Sequence, residues 1–284
     1  MRKLIVFLLF VSFSTLMFSQ NKPAYKLYNE NGAKVSYKRM IHKMSKADVV
    51  LFGEHHDNPI AHWLQYETTT DLNKLRKLIL GAEMLEADNQ PQLNEYLAGK
   101  IDQKAFDTLA RLWNNYKTDY KPLVDFAKEN KLKFIAANIP RRYASIVFKG
   151  SFEALDTLSA QEKSWIAPLP IKYDATLPSY VKMKAMMGGH GGDNLPKAQA
   201  VKDATMAYFI LKNMENNKLF IHYNGSYHSD DYEGINWYLK QENPKLKVVT
   251  VSIVEQENLK KLEKENKSKA NFIIVVSPTM TKTY

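Results

Sequence analysis

Short apolar runs that end in polar or small residues recur along the chain, a pattern typical of buried strands. These runs cover residues 49–52, 78–82, 134–137, 219–223, 248–254 and 272–276. Strands that are buried on both faces contain such continuous apolar runs, and they belong to parallel sheets covered by helices. The pattern therefore predicts one central sheet, with the first four runs at its core.

Helical patterns lie between the predicted strands. A helix is predicted over residues 59–75. Its start signal is clear, because Asn58 is a favourable N-cap and Pro59 suits the first helical position. A shorter helix is predicted at 122–130, and a longer one at 196–213 carries an apolar stripe at helical spacing. Strands that alternate with helices predict an α/β fold with a mostly parallel central sheet flanked by helices.

The segment 152–194 interrupts this alternation. It contains Pro168, Pro170 and Pro178, and it ends in a Gly-Gly-His-Gly-Gly run around His190. We interpret it as a helical insertion with a flexible loop, between the third and fourth core strands. No internal repeat or linker divides the chain, so residues 20–284 are expected to form a single domain.

The N-terminus has the pattern of a signal peptide. Arg2 and Lys3 precede an apolar run of about 15 residues, shorter than the roughly 20 that span a bilayer. Cleavage after Ser19 would leave Gln20 as the first mature residue, and an uncleaved membrane anchor is the alternative. We therefore expect an exported protein, periplasmic or secreted, with no membrane span after residues 1–19 are removed.

The chain has no cysteine. Disulfides, thiolate metal sites and a lipid-accepting cysteine are therefore excluded, so the protein is not expected to be a lipoprotein. Without Arg2 and Lys3 the formal charge falls from +10 to +8, and the basic residues are spread along the sequence. No compact stripe of basic and aromatic residues is present, so nucleic acid is not expected as a partner.

Reactive side chains follow the predicted core strands. Glu54 and His56 come after the first strand, Glu83 after the second and His228 after the fourth. In open α/β sheets, ligands bind beyond the carboxyl ends of the strands, so seven side chains should converge: Glu54, His55, His56, Glu83, Asn138, Arg141 and His228. One hypothesis is a divalent metal held by Glu54, His56, Glu83 and His228, which would activate water in a hydrolase. The alternative is that each is a structural residue with its hydrogen bonds satisfied.

Two further segments are candidates for ligand binding. Arg141 follows the third strand, where a guanidinium group suits a carboxylate or a phosphate. The insertion contains Met183, Met187 and His190. Methionine and histidine can ligate haem iron, although a methionine stripe on a helix is more often part of a core.

The strand-end residues resemble the ChaN-like haem-binding family, within the larger Tiki/ChaN/erythromycin-esterase superfamily. Several blocks in sequence order carry the resemblance: Gly53 to Pro59 with His62 and Gln65, then Glu83-Met84, Asn138 to Arg141, Gln199 with Lys202 to Ala207, and Gly225 to His228. Separate blocks in the same order are more specific than any one Gly-x-x-His motif.

The resemblance implies an α/β fold and haem binding in iron uptake or storage at the bacterial envelope. It implies a tyrosine as axial ligand, for which Tyr173, Tyr180 and Tyr227 are the candidates. A homodimer and envelope haem-uptake components are the implied partners. Tiki-like and esterase-like relatives imply instead a metal-dependent hydrolase that uses Glu54, His56, Glu83 and His228, and an interaction module without chemistry is a third hypothesis.

Overall fold

A computed structural model describes residues 22–186 and 192–284. The signal-peptide prediction concerns residues 1–19, which lie outside these ranges. Two haem candidates, Met187 and His190, also lie outside them. The described residues form a seven-stranded sheet. Its strands are β1 (Tyr25–Asn29), β2 (Val49–Glu54), β3 (Leu78–Glu86), β4 (Lys133–Asn138), β5 (Leu219–Gly225), β6 (Val248–Glu255) and β7 (Phe272–Val276).

Helices connect these strands. They are α1 (Tyr37–Met44), α2 (Pro59–Asn73), α3 (Gln90–Leu97), α4 (Gln103–Leu109), α5 (Lys121–Glu129), α6 (Arg141–Gly150), α7 (Ala160–Lys163), α8 (Pro178–Met186), α9 (Asn194–Asn213) and α10 (Ile235–Glu242). Short 3₁₀ turns occupy Ala87–Asn89, Phe152–Leu155, Ser226–His228, Asp230–Tyr232 and Lys264–Asn266, and a π turn occupies Tyr116–Tyr120. Within the described ranges, no helix is both long enough and apolar enough to cross a membrane.

The strand order of the sheet is β1-β7-β6-β2-β5-β3-β4. β1 pairs antiparallel with β7, and the other neighbouring strands are parallel. β5 therefore lies between β2 and β3, although it follows both in the sequence. This order brings the carboxyl ends of three core strands together at one edge of the sheet.

Side chains alternate between the two faces of the sheet, and each face has its own apolar core. On one face, Val50, Phe52 and Leu80 pack with residues from α1 to α5. On the other face, Ile79 and Phe220 pack with residues from α6, α9 and α10. The central strands of the sheet are buried on both sides, which explains why they are apolar at most positions.

The α/β fold class predicted from the sequence is confirmed, with a mostly parallel sheet flanked by helices. The six predicted strands are present, and β3 extends four residues further than its apolar run. Asn58 caps α2 as expected, since its side chain accepts hydrogen bonds from the backbone N–H groups of Ile60 and Ala61. The edge strand β1 was not predicted. The segment 152–194 contains α7 and α8, but its description as an insertion stays a prediction.

Gly53 provides a test of how tightly the sheet is packed. A Cβ atom at this position would lie 2.7 Å from the Val251 carbonyl oxygen and 3.0 Å from the Ser226 Cα. Both contacts are with backbone, which cannot rotate away. We therefore expect Gly53→Ala to lower the free energy of unfolding by about 2 kcal/mol, measured by urea denaturation.

Gly150→Ala is the matched control, because Gly150 lies at the end of α6 and a Cβ there would meet only Ala154 Cβ, at 3.2 Å. Its effect should stay within about 0.5 kcal/mol. Equal effects of the two substitutions would contradict the packing argument.

Candidate functional site

Glu54 is the centre of a polar cluster at the end of β2. The carboxylate is buried, and one of its oxygens accepts a hydrogen bond from Tyr120 Oη at 2.7 Å and lies 2.9 Å from His56 Nδ1. Gln65 Nε2 donates to the other oxygen at 2.5 Å. Burial, followed by the negative charge of Glu54, raises the pKa of Tyr120 well above its ordinary value. The phenol therefore stays protonated and acts as a donor.

Side chains of α2, and of the chain at and just before the π turn, form a second layer of contacts around this cluster. His62 Nε2 lies 3.0 Å from the His56 carbonyl oxygen and 3.5 Å from Asp119 Oδ2. Asn115 Nδ2 also donates to the His56 carbonyl, at 3.0 Å. The Trp113 ring meets the His56 ring edge to face, with centroids 4.9 Å apart. The His56 loop is therefore held on several sides.

The C-terminal residues also reach this edge of the sheet. Thr283 Oγ1 donates to Asp119 Oδ2 at 2.8 Å, and the Thr283 backbone N–H donates to the Asp57 carbonyl at 2.9 Å. Lys282 forms ion pairs with Asp57 and Glu255. The tail is thus tied to the loop that carries His56.

A second cluster forms around His228, at the end of β5. His228 Nε2 lies 3.2 Å from Glu83 Oε1, and His228 Nδ1 lies 2.5 Å from Asp203 Oδ1. The other oxygen of Glu83 accepts a hydrogen bond from the Gly225 backbone N–H at 2.7 Å. All three ionisable side chains are buried, so β3, β5 and α9 are joined by a buried imidazole with a carboxylate on each side.

The charged groups of this second cluster shift one another's pKa values. Burial alone would lower the pKa of His228, but the negative charges of Glu83 and Asp203 outweigh it and raise this pKa to about 10. The pKa of Glu83 is lowered despite burial, because His228 and His56 favour its charged form. Burial raises the pKa of Asp203, and His228 offsets this only in part. At neutral pH the imidazole is therefore protonated.

The two clusters meet at Gly225. A Cβ atom there would lie 2.8 Å from His56 Nε2 and 3.5 Å from Glu83 Oε2. Only glycine lets the His56 ring approach the end of β5 this closely. The hydrogen bond to Glu54 and the charges of Glu83 and Glu54 raise the pKa of His56, although burial opposes them. Glu54, His56, Glu83 and His228 thus converge as predicted, whereas no hydrogen bond or ion pair joins His55, Asn138 or Arg141 to them among the residues that the structure describes.

These four residues are paired with one another rather than arranged around a vacant centre. Among residues 22–186 and 192–284, no group of three or more histidine, aspartate or glutamate side chains is placed to hold a metal ion. The metal and catalytic roles given to these residues stay predictions without geometric support.

The haem candidates lie beside this edge, in different environments. The Tyr227 ring is 41 % exposed, and its hydroxyl donates to the Ser179 carbonyl oxygen, in α8, at 2.9 Å. Tyr180 is only 1 % exposed and stacks on Tyr173, with ring centroids 5.5 Å apart. Met183 is half-buried in α8. Tyr227 is therefore the most accessible of the three candidate tyrosines.

The two arginines that open α6 differ. Arg141 is exposed, and it forms no ion pair in the described part of the chain. Arg142 pairs with Asp88 at 2.7 Å and lies over the Tyr143 ring, 4.4 Å from its centroid. Arg141 is thus available to a ligand, whereas Arg142 has a structural role.

Sequence reasoning gave no role to several side chains of the two clusters. His62, Gln65 and Thr69 form a polar stripe along one face of α2, and all three are buried. Polar residues at helical spacing on a buried helix are a signal that could have been used. Asp203 is different, because nothing in its local sequence indicates that it faces His228.

We expect the buried pairing of His228 to make stability depend on pH. A histidine whose folded pKa is raised adds stability that is complete below its ordinary value of 6.5 and is lost as pH rises through about 10. His228→Gln removes this contribution. The difference in unfolding free energy between wild type and variant should therefore shrink between pH 6.5 and 9.5, by at most about 1.4 kcal/mol per pH unit.

Urea unfolding at several pH values measures this difference. His42→Gln is the control, because His42 is exposed on α1. A constant difference between wild type and His228→Gln across the pH range would contradict the pairing.

Comparison with known proteins identifies relatives of this chain. The family model described as "Haem-binding uptake, Tiki superfamily, ChaN" matches residues 40–239. Among solved structures, ChaN of Campylobacter jejuni, reported with cofacial haem, superposes with a TM-score of 0.67 at 20 % identity, covering 89 % of this chain and 97 % of that one. A toxin effector domain of Vibrio vulnificus has a TM-score of 0.47 at 14 % identity, covering 89 % of this chain and 40 % of that one.

A curated plant protein also matches. RETICULATA-RELATED 5, chloroplastic, of Arabidopsis thaliana is 27 % identical over 139 residues, which are 46 % of this chain. The match spans only 18 % of the plant protein's length. The Campylobacter structure supports the fold, and the family model covers well over half of the chain, including both polar clusters. The chain belongs to the ChaN family of the Tiki superfamily, the family described as haem-binding uptake proteins.

Proposed function

We propose that this protein binds haem on an exposed apolar surface formed by α8 and Tyr227. The observation that carries the proposal is the exposure of Val181 (53 %), Met186 (72 %) and Tyr227 (41 %). Tyr227 contacts α8 through the Ser179 carbonyl oxygen. Exposed apolar side chains in one region of a surface indicate a binding site, and a flat apolar ring suits such a surface. The family and the Campylobacter ChaN structure support haem as the ligand.

The residues present fit the chemical groups of haem. The iron accepts one tyrosine oxygen as an axial ligand. Tyr227 offers an accessible hydroxyl whose described hydrogen bond, to the Ser179 carbonyl, can be exchanged. Tyr180 would need α8 to move, because its ring is buried against Tyr173. We therefore place Tyr227 first among the three candidates, and Tyr173 and Tyr180 after it.

Cations near α8 suit the two propionates of haem. Lys182 is exposed on α8, and the described residues give it no carboxylate partner. Lys184 is less available because it pairs with Asp193. Arg141 is the third candidate: it lies at the start of α6 rather than on α8, and it is exposed and unpaired in the described ranges. Met183, Met187 and His190 stay predicted contributors from the same segment.

We further propose that the protein is exported. In this proposal residues 1–19 are removed, and the chain acts in the periplasm or outside the cell without a lipid anchor. It carries or stores haem in iron uptake, with a second copy of the chain and envelope uptake components as partners. The segment 152–194, interpreted as a helical insertion, supplies α8 and therefore most of the haem surface.

A haem titration of residues 20–284 tests the proposal. The wild type should show a saturable shift of the visible haem band with a Kd of about 1 μM or tighter, which corresponds to about −8 kcal/mol. Tyr227→Phe removes the axial oxygen and keeps the ring. It should weaken binding at least tenfold and change the band position.

Two controls separate the axial role from general damage. Tyr66→Phe changes an exposed tyrosine on α2 and should leave the titration unchanged. His228→Ala should also bind haem nearly as well as the wild type, because His228 is buried among its carboxylates. Haem binding by wild type that never saturates would refute the function, whereas loss only in Tyr173→Phe or Tyr180→Phe would reassign the ligand.

A further inference from the structure

An apolar cleft of about 650 Å³ lies between α9, α10 and the segment 167–172. Ala204, Ala207 and Leu211 contribute from α9, and Tyr238 contributes from α10. The opposite wall is formed by the run from Ala167 to Ile171. Small-molecule sites in proteins have volumes of roughly 300–1,000 Å³ and mainly apolar walls. The cleft has the size and the lining of such a site.

The walls of the cleft are held in place by the fold. Ala204 and Ala207 lie about one turn apart on α9, and their short side chains leave space that larger residues would fill. Tyr238 Oη donates a hydrogen bond to the Lys172 carbonyl oxygen at 2.7 Å, which joins α10 to the opposite wall. The cleft is therefore formed before any ligand enters.

Charges at the rim favour an anionic group. Lys172 and Glu242 form an ion pair at 2.8 Å and neutralise one another. Lys212 has no carboxylate partner within residues 22–186 and 192–284, and its Nζ lies over the Tyr208 ring, 5.3 Å from the centroid. The rim therefore carries one unbalanced positive charge.

One end of the cleft adjoins the His228 cluster, because the lining residue Ala204 directly follows Asp203 on α9. From there the cleft extends to Leu211, seven residues or roughly 10 Å further along the helix axis. Neither α8 nor Tyr227 lines the cleft, so it is a second site beside the haem surface proposed above.

We propose that this cleft binds a free aliphatic monocarboxylate. The hydrocarbon chain lies between α9 and the 167–171 wall, and the carboxylate pairs with Lys212 at the rim. This ligand class follows from the apolar lining and the single unbalanced cation. It does not depend on haem binding.

A fluorescence titration with cis-parinaric acid, a fluorescent fatty acid, tests this proposal. The wild type should bind about one equivalent, and dodecanoate below its micellar concentration should displace it. Leu211→Glu places a carboxylate in the cleft and should weaken binding at least tenfold. Lys212→Glu reverses the charge at the rim and should weaken binding about three- to tenfold.

Leu109→Glu is the matched control, because Leu109 is an exposed leucine on α4 that does not line the cleft. It should leave binding unchanged, and circular dichroism should show that all three variants are folded. Equal binding by Leu211→Glu and Leu109→Glu would overturn the site. Equal displacement by dodecanol and dodecanoate would overturn the anionic ligand.

Two further measurements distinguish this cleft from the haem surface and from a membrane-binding face. Protein saturated with haem should still bind cis-parinaric acid, and stoichiometric displacement by haem would overturn a separate site. Binding to phosphatidylglycerol vesicles without binding of the free acid would overturn a free carboxylate as the ligand.

Discussion

The carboxyl edge of the sheet depends on one buried imidazolium held between two carboxylates. His228 contacts Glu83 of β3 on one side and Asp203 of α9 on the other, and none of the three is exposed to solvent. Removing one partner of a buried ion pair leaves an uncompensated charge, which costs about 3–5 kcal/mol. These three side chains therefore tie α9 and the turn after β5 to the end of β3.

The strand order explains how residues so distant in sequence reach one place. β5 lies between β2 and β3, so the turn after Gly225 is flanked by Glu54 and Glu83. Gly225 lets the His56 ring contact the strand end, and this contact joins the two clusters. The polar edge is thus a property of the topology, and the apolar cores on both faces hold that topology in place.

Much of the sheet could be predicted because its strands are buried on both faces, which leaves unbroken apolar runs. β1 escaped prediction because it is an edge strand in which only Leu27 and Tyr28 are buried. The convergence of Glu54, His56, Glu83 and His228 followed from a general rule about strand ends. Asp203 could not be predicted, since its partner lies 25 residues away and only the packing of α9 brings them together. For the same reason, sequence could not distinguish exposed Tyr227 from buried Tyr180.

The hydrogen bonding of the polar edge bears on its chemistry. A metal ion at Glu54 would have to compete with Tyr120, Gln65 and His56, and one at His228 would have to separate it from both carboxylates. Buried polar networks whose members satisfy one another make a structure rigid. Beside this edge, Val181, Met186 and Tyr227 are exposed among the residues that the structure describes. A rigid polar support therefore lies next to the turn that carries Tyr227.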